Sequence, residues 1–256
     1  MTRAAPKYHW IADQLRERIL AGELAEGECI PGEPALMATY EVSRNTVRLA
    51  LRRLADEGLL VADQGRGTFV RESPKPFEWN WSTIESRRRH EAYHDAGERD
   101  QWATTVTEAG RVPRQDIQVS IVTPPPPVAE RLGLDPAAGV ALLRRRVRSV
   151  DHEPYLLADS YFPVDLVQGT PLMEPRDVSA PGGVLASLGL VQARYRDEIL
   201  PRMPTRREIE MLHLPAATPV AEHTRTGYDK DGRALRVMVT ILPGGRHVSI
   251  YDVEAD

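Results

Sequence analysis

The sequence of 256 residues predicts an α+β protein of two domains. The N-terminal domain combines helices with a β-hairpin, and the C-terminal domain is built around an antiparallel sheet. Up to residue 58, apolar residues recur at the spacing of helical turns. Residues 59–70 hold two short apolar runs around a glycine-bracketed turn. From about residue 115, apolar and polar residues alternate as in strands.

Two helices are predicted before residue 41. The first carries the apolar residues Tyr8, Ile11, Leu15 and Ile19 at helical spacing and ends at Gly22. In the second, Pro34 takes an early position, where its missing N–H costs little, and Leu36 and Tyr40 face inward. Only Glu41 and Val42 follow before the next helix, so a tight turn must connect the two.

The third predicted helix is amphipathic and has a cationic face. Ser43 is a good N-cap residue and Gly58 a good stop. At about 100° per residue, one side is polar and the opposite side apolar. The polar side comprises Arg44, Asn45, Arg48 and Arg52. Arginine suits guanine edges or phosphate and asparagine suits adenine, so this face fits the major groove of DNA. The alternative is a solvated charged face.

A hairpin follows this helix. Residues 59–61 and 68–70 form two short strands, and the glycines at 65 and 67 allow positive φ and close approach to phosphate. Helices followed by such a hairpin within about 70 residues form a winged helix-turn-helix.

Residues 8–70 resemble the DNA-binding domain of the GntR family of bacterial transcription regulators nearly end to end. By this resemblance, operator contacts fall on the third helix and on the tip of the hairpin. Arg52 and Arg66, which lie next to these contacts, are added to the set. The predicted DNA-binding residues are then Ser43, Arg44, Asn45, Arg48, Arg52, Gln64, Gly65 and Arg66. Pro34 and Cys29 depart from the family, in which polar or basic residues are common at these positions. They leave open whether the second helix anchors phosphate.

Composition limits the class of protein. The net charge of −4 argues against a general nucleic-acid coat protein. Residues 1–72 contain ten Lys and Arg against eleven Asp and Glu, so DNA binding must depend on one local cationic face. The single cysteine forms no internal disulfide, and no run resembles a signal or membrane segment. We therefore expect a cytoplasmic protein.

The predicted domains are residues 1–71 and 101–256, joined by a linker and polar helix over residues 72–100. In this helix His90, Glu91 and His94 spell H-E-x-x-H, and Gly97 and Asp100 extend the likeness to a zinc protease. Adjacent arginines and the lack of an apolar face favour a chance match on a solvated helix. We expect no metal, no cofactor and no catalytic residues.

Strands and short helices alternate in the C-terminal domain, with no internal repeat evident in the sequence. Strands are predicted at residues 115–122, 140–150, 155–162, 191–200, 220–228, 233–242 and 248–253. Short helices are predicted at residues 128–134, 163–167, 183–188 and 205–212. Glu208, three residues after Thr205, predicts a capping box at the last helix.

Four runs, residues 128–136, 145–154, 202–205 and 225–233, resemble the effector-sensing UTRA domain of the HutC subfamily of GntR regulators. The resemblance covers most of residues 101–253. It implies that this domain binds a small metabolite and also forms a homodimer. Such a dimer would bind a palindromic operator in double-stranded DNA.

An arginine pair is the first candidate for effector binding. Arg146 and Arg148 project from the same face of one strand and could hold a phosphate or carboxylate together. Relatives that sense sugar phosphates carry a glutamate ten residues after the second arginine, where this chain has Ala158. The alternative to effector binding is that these arginines lie on an exposed strand face or form ion pairs with neighbouring carboxylates. The candidate effector-binding residues are Arg146, Arg148, Asp159, Ser160, Glu222 and Tyr228.

The sequence thus predicts a transcription repressor whose operator affinity changes when a small molecule, anionic if the arginines hold it, binds the C-terminal domain. Two other functions use less of the chain. A zinc metalloprotease would use only the H-E-x-x-H run, and a DNA-binding accessory protein would need no ligand.

Overall fold

The computed structural model describes residues 6–63, 65–72, 77–80, 101–178, 185, 188–215 and 217–252. The chain divides into two compact units. One comprises Met1–Lys75 with Leu214–Thr218, and the other comprises Pro76–His213 with Pro219–Asp256. The domain boundaries expected from the sequence stay predictions, and the H-E-x-x-H run lies outside the described residues.

The first unit has the predicted helices and hairpin. Its elements are α1 (Lys7–Leu20), α2 (Glu33–Tyr40), α3 (Arg44–Asp56), β1 (Leu60–Asp63) and β2 (Gly67–Val70). The strands pair antiparallel, from Leu60 opposite Val70 to Asp63 opposite Gly67. Apolar residues from each helix and both strands form the core: Ile11, Ala12, Leu15, Leu24, Ile30, Leu36, Val47, Ala50, Leu54, Leu60 and Val70.

Local signals in the sequence set the ends of these helices. The Ser43 side chain accepts a hydrogen bond from the backbone N–H of Thr46, which confirms the predicted N-cap of α3. Glu41 adopts φ 51° directly after α2, and this left-handed residue makes the tight turn into α3. Gly58 has φ 76°, a conformation that glycine adopts without strain.

The second unit is α+β, as predicted. In chain order its elements are β3 (Phe77–Asn80), α4 (Gln101–Glu108), β4 (Pro113–Val122), α5 (Pro126–Leu132), β5 (Ala141–Val150), β6 (Glu153–Pro163), α6 (Val164–Val167), a 3₁₀ turn (Pro171–Met173), β7 (Arg194–Arg202), α7 (Arg206–Leu212), β8 (Val220–Tyr228), β9 (Ala234–Pro243) and β10 (His247–Ile250). Within the described ranges, six strands form an antiparallel sheet in the order β4-β5-β6-β9-β8-β7. Strand β10 pairs in parallel with β3.

The sheet repeats one topology. The order strand, helix, strand, strand occurs as β4-α5-β5-β6 and again as β7-α7-β8-β9, and the last strands of the two halves pair at the centre. Both helices end at a left-handed residue, Gly133 with φ 67° and His213 with φ 49°. This repeat is one of element order and strand pairing, whereas the prediction of no internal repeat concerns the residues of the sequence.

Element boundaries differ slightly from those predicted. Helix α5 begins at Pro126, since proline fits the first turn of a helix. The last strand ends at Ile250, and most of the helix predicted at residues 183–188 lies outside the described residues. Within the part of the chain that is described, no helix has the length and hydrophobicity to cross a membrane.

Candidate nucleic-acid interface and effector site

The polar side of α3 is open to solvent. The side chains of Arg44 and Arg48 are 73% and 69% exposed. Both lie beside Glu33 at the start of α2: Arg44 Nε is 2.5 Å from Glu33 Oε2, and Arg48 Nε is 3.9 Å from Glu33 Oε1. Ion pairs this exposed contribute little to stability. Both guanidinium groups can therefore exchange Glu33 for a phosphate or a base edge.

The other predicted DNA contacts are also exposed where they are described. Ser43, the N-cap of α3, is exposed, as are Asn45 and Arg52 within the helix, while Val47 and Leu54 on its other side are buried. Because the helix is anchored by its apolar side, the polar residues are presented together.

At the tip of the hairpin, Gly65 is exposed with φ 83°. Arg66 donates to Asp63 at 2.9 Å, and its guanidinium lies 6.0 Å from the ring centroid of Phe69. Gln64 lies outside the described residues. The DNA-binding role of each of these residues stays a prediction.

Helix α2 brings no cation to this surface. Its sequence, EPALMATY, contains no lysine or arginine, and Pro34 occupies its first turn. The charged group at its start is the carboxylate of Glu33. A phosphate contact from this helix would therefore have no basic side chain to make it.

The sheet of the second unit has two chemically different faces, because successive residues of a strand alternate sides. We call one the arginine face; it carries Arg144, Arg146, Arg148, Arg225 and Arg236. We call the other the groove face; α5 and α7 line a cavity over it.

The arginine face is covered. Arg146 is 8% exposed, and the Arg148 guanidinium lies 4.8 Å from the ring centroid of Trp102 in α4. Ser160 is fully buried and accepts a hydrogen bond from Arg236 at 2.8 Å. Three of the predicted effector residues, Arg146, Arg148 and Ser160, thus share this face. The alternative of an exposed strand face is wrong for Arg146.

A carboxylate also lies on the arginine face. Asp197 Oδ1 is 2.7 Å from His223 Nε2 and 2.6 Å from Arg225 Nε, and Oδ2 accepts from Arg225 Nη2 at 2.8 Å. Burial would raise the pKa of Asp197, but the hydrogen bonds from His223 and Arg225 outweigh it and hold the pKa at about 2.

We expect Asp197→Asn to flatten the acid limb of the stability profile. The folded-state pKa of Asp197, about 2, lies below its ordinary 3.8, so the ionised carboxylate stabilises the fold above about pH 4. This contribution, about 2 kcal/mol, is lost as the pH falls towards 2. Urea unfolding at a series of acidic pH values measures it. Asp116→Asn, at a carboxylate 62% exposed, is the control. Parallel profiles for wild type and Asp197→Asn would contradict the assignment.

The groove face holds two other predicted effector residues. Asp159 accepts from Arg145 at 2.8 and 2.5 Å, and Glu222 accepts from Arg202 at 2.9 Å. Arg202 also binds Glu208 at 2.7 Å, and Glu208 completes the predicted capping box with Thr205. These groups line a cavity of about 480 Å³ between α5 and α7.

Tyr228 lies elsewhere. It lines a separate cavity of about 510 Å³ together with Asp165 and Arg233, and the Arg194 guanidinium lies 4.0 Å from its ring centroid. The candidate effector residues therefore divide among three places in the second unit, and their roles stay predictions. Within the described residues, no group of His, Cys, Asp and Glu could hold a metal ion.

Sequence reasoning missed several polar groups at these places. Arg145 and Arg202 lie in the cavity of the groove face, and Arg225 and Arg236 lie on the arginine face. Alternation along the strand beginning at Ala141 could have separated Arg145 from its neighbours. The other three depend on strand register, which the sequence does not give.

Comparison with known proteins identifies two matching family models. The model "Bacterial regulatory proteins, gntR family" matches residues 7–70, and the UTRA domain matches residues 108–247. The mannosyl-D-glycerate transport/metabolism system repressor MngR of Escherichia coli (strain K12) is 29% identical over 89% of this chain and 88% of its own. The HTH-type transcriptional regulator Rv0792c of Mycobacterium tuberculosis is 30% identical, over 92% of this chain and 81% of its own. PhnF from Mycobacterium smegmatis has a similar fold, with TM-score 0.56 and 24% identity over 96% of this chain and 99% of its own.

Proposed function

Since the chain belongs to the GntR family of bacterial regulatory proteins and carries a UTRA domain, we propose that it is a repressor that an anionic effector releases from its operator. The chain is a DNA-binding transcription regulator whose affinity for DNA is modulated by a small-molecule effector. Repression is supported by the similarity to MngR, which is itself a repressor. Regulation needs no catalytic step, so the proposal includes no enzymatic activity. As a regulator of bacterial transcription it would act in the cytoplasm.

The arginine face is the observation that supports an anionic effector. Its guanidinium groups come from three strands, β5, β8 and β9, and Arg146 among them is almost fully buried. Guanidinium groups bind phosphate and carboxylate through paired hydrogen bonds. We therefore assign the effector to Arg146 and Arg148, with Ser160 on the same face.

We further propose a homodimer, held by the C-terminal domains, that presents two α3 helices to a palindromic operator. The resemblance to HutC regulators supports this arrangement. The effector must bind one arrangement of the dimer more tightly than the other, because equal affinity would shift no population.

Selection of DNA from a random pool tests the regulatory function. The full chain should enrich fragments that contain two inverted half-sites, and the spacing between them would report the geometry of the dimer. Enrichment of no common sequence would count against a sequence-specific regulator and would favour an accessory DNA-binding protein.

The anion site is tested by measuring how candidate anions change binding of the chain to the operator that this selection identifies. Among inorganic phosphate, sugar phosphates and hydroxycarboxylates, we expect at least one to raise the melting temperature and to weaken operator binding. Arg146→Ala should reduce the affinity for that anion about tenfold or more, since a hydrogen bond to a charged group contributes about 1.5–3 kcal/mol. Arg114→Ala, at an arginine 66% exposed on β4, is the matched control. An anion response unchanged in Arg146→Ala would refute the assignment.

A further inference from the structure

The cavity of the groove face has the form of a small-molecule site. Its walls are α5 and α7, the equivalent helices of the two topological repeats, and its base is the centre of the sheet. Leu157, Val239 and Ile241 line the base. The volume of about 480 Å³ lies in the ordinary range for ligand sites, roughly 300–1,000 Å³.

The charges around this cavity balance. With Glu198, which pairs with Arg131 at 2.9 Å, the described residues contribute four arginines and four carboxylates: Arg131, Arg145, Arg202, Arg207, Asp159, Glu198, Glu208 and Glu222. The Arg145–Asp159 pair and the Arg202 cluster hold both signs within hydrogen-bond distance. A multiply charged ligand would gain little from such walls.

Two residues that carry hydroxyl groups, Tyr161 and Thr224, line the cavity. Tyr161 is 6% exposed and Thr224 is 7% exposed. Among the residues that the structure describes, neither hydroxyl has a hydrogen-bond partner. Burial, together with the nearby charge of Asp159, raises the pKa of Tyr161 to about 12, so this hydroxyl remains a donor at neutral pH.

We propose that this cavity is a second ligand site, which binds an uncharged, polyhydroxylated small molecule. Such a ligand places C–H surface on the apolar base and hydroxyl groups against Tyr161 and Thr224. Asp159 and Glu222 accept further hydrogen bonds from it, because an ionised carboxylate has more lone pairs than its arginine partner occupies. The site lies on the opposite side of the sheet from Arg146 and is independent of the anion proposed there.

Ligand-observed NMR with the full chain tests the site, with D-glucose, D-mannose, trehalose and myo-inositol as probes. We expect at least one to bind saturably. Tyr161→Phe and Thr224→Val each remove one hydroxyl with little change of shape, and each should weaken binding about tenfold. Thr240→Val is the matched control, since Thr240 is also buried but lies on the arginine face, where its backbone pairs with that of Ala158.

The outcomes separate this proposal from the effector proposal. Weakening in both cavity variants, with Thr240→Val and Arg146→Ala like wild type, supports a second site. Absence of saturable binding by every probe overturns the proposal. Binding that is unchanged in both Thr224→Val and Tyr161→Phe also overturns it. Loss of binding in Arg146→Ala overturns it too, because that result would place the ligand on the arginine face. A melting temperature near that of wild type establishes that each variant is folded.

Discussion

Replacing Arg44 and Arg48 together by alanine is expected to abolish specific operator binding at physiological salt. Each arginine should contribute about 1–3 kcal/mol if it contacts a base edge. Both are exposed on α3, and their only described ion pairs there are with Glu33, so neither change opens a cavity in the core. Because the two arginines share Glu33, their effects need not add. The double variant should still lose at least about a hundredfold in affinity.

Fluorescence anisotropy with the selected operator measures this effect. The salt dependence should also be recorded, since each lost phosphate contact lowers the slope by about one. Arg18→Ala is the control, because it removes one arginine charge from α1, where Arg18 is 40% exposed and pairs with Glu23. If the double variant bound the operator as tightly as Arg18→Ala does, α3 would not be the recognition helix.

The first unit could be predicted closely because its signals are local. Ser43 caps α3 through a hydrogen bond that spans three residues, and the buried side of α3 follows from helical spacing alone. The ion pair between Arg44 and Glu33 could not be predicted in the same way. It joins two helices, so it depends on how they pack.

The candidate site of the second unit was predicted less well. Asp159 and Ser160 are neighbours in the sequence and were assigned to one site, yet they project to opposite faces of β6 because strand side chains alternate. Ser160 instead meets Arg236, 76 residues later, which depends on the pairing of β6 with β9. Alternation identified most strands, but it does not specify their order or register.

Arg144 is the residue whose removal should most destabilise the second unit. It is fully buried and donates to three backbone carbonyls, those of Leu172 at 2.5 Å, Glu174 at 2.7 Å and Arg176 at 2.8 Å. Burial lowers the pKa of Arg144. These bonds tie β5 to the 3₁₀ turn and to the segment that follows it.

We expect Arg144→Met to lower the free energy of unfolding by about 3–5 kcal/mol, because each buried carbonyl left without a donor costs about 1–3 kcal/mol. Methionine keeps much of the apolar stem, so the loss reports the guanidinium group. Urea unfolding measures it. Arg176→Ala is the control: its side chain is 58% exposed and pairs with Glu174, while its carbonyl remains in place. That control should cost less than about 0.5 kcal/mol.

The Arg144→Met variant also distinguishes an arginine that stabilises the domain from one that binds the effector. Arg144 shares the arginine face with Arg146, but its hydrogen bonds go to backbone carbonyls of its own chain. We therefore expect Arg144→Met, at a temperature where it is folded, to bind the anion that Arg146→Ala no longer binds. A loss of stability below about 1 kcal/mol would show that the carbonyls find other donors. Loss of anion binding in the folded variant would move Arg144 from the framework of the domain into its effector site.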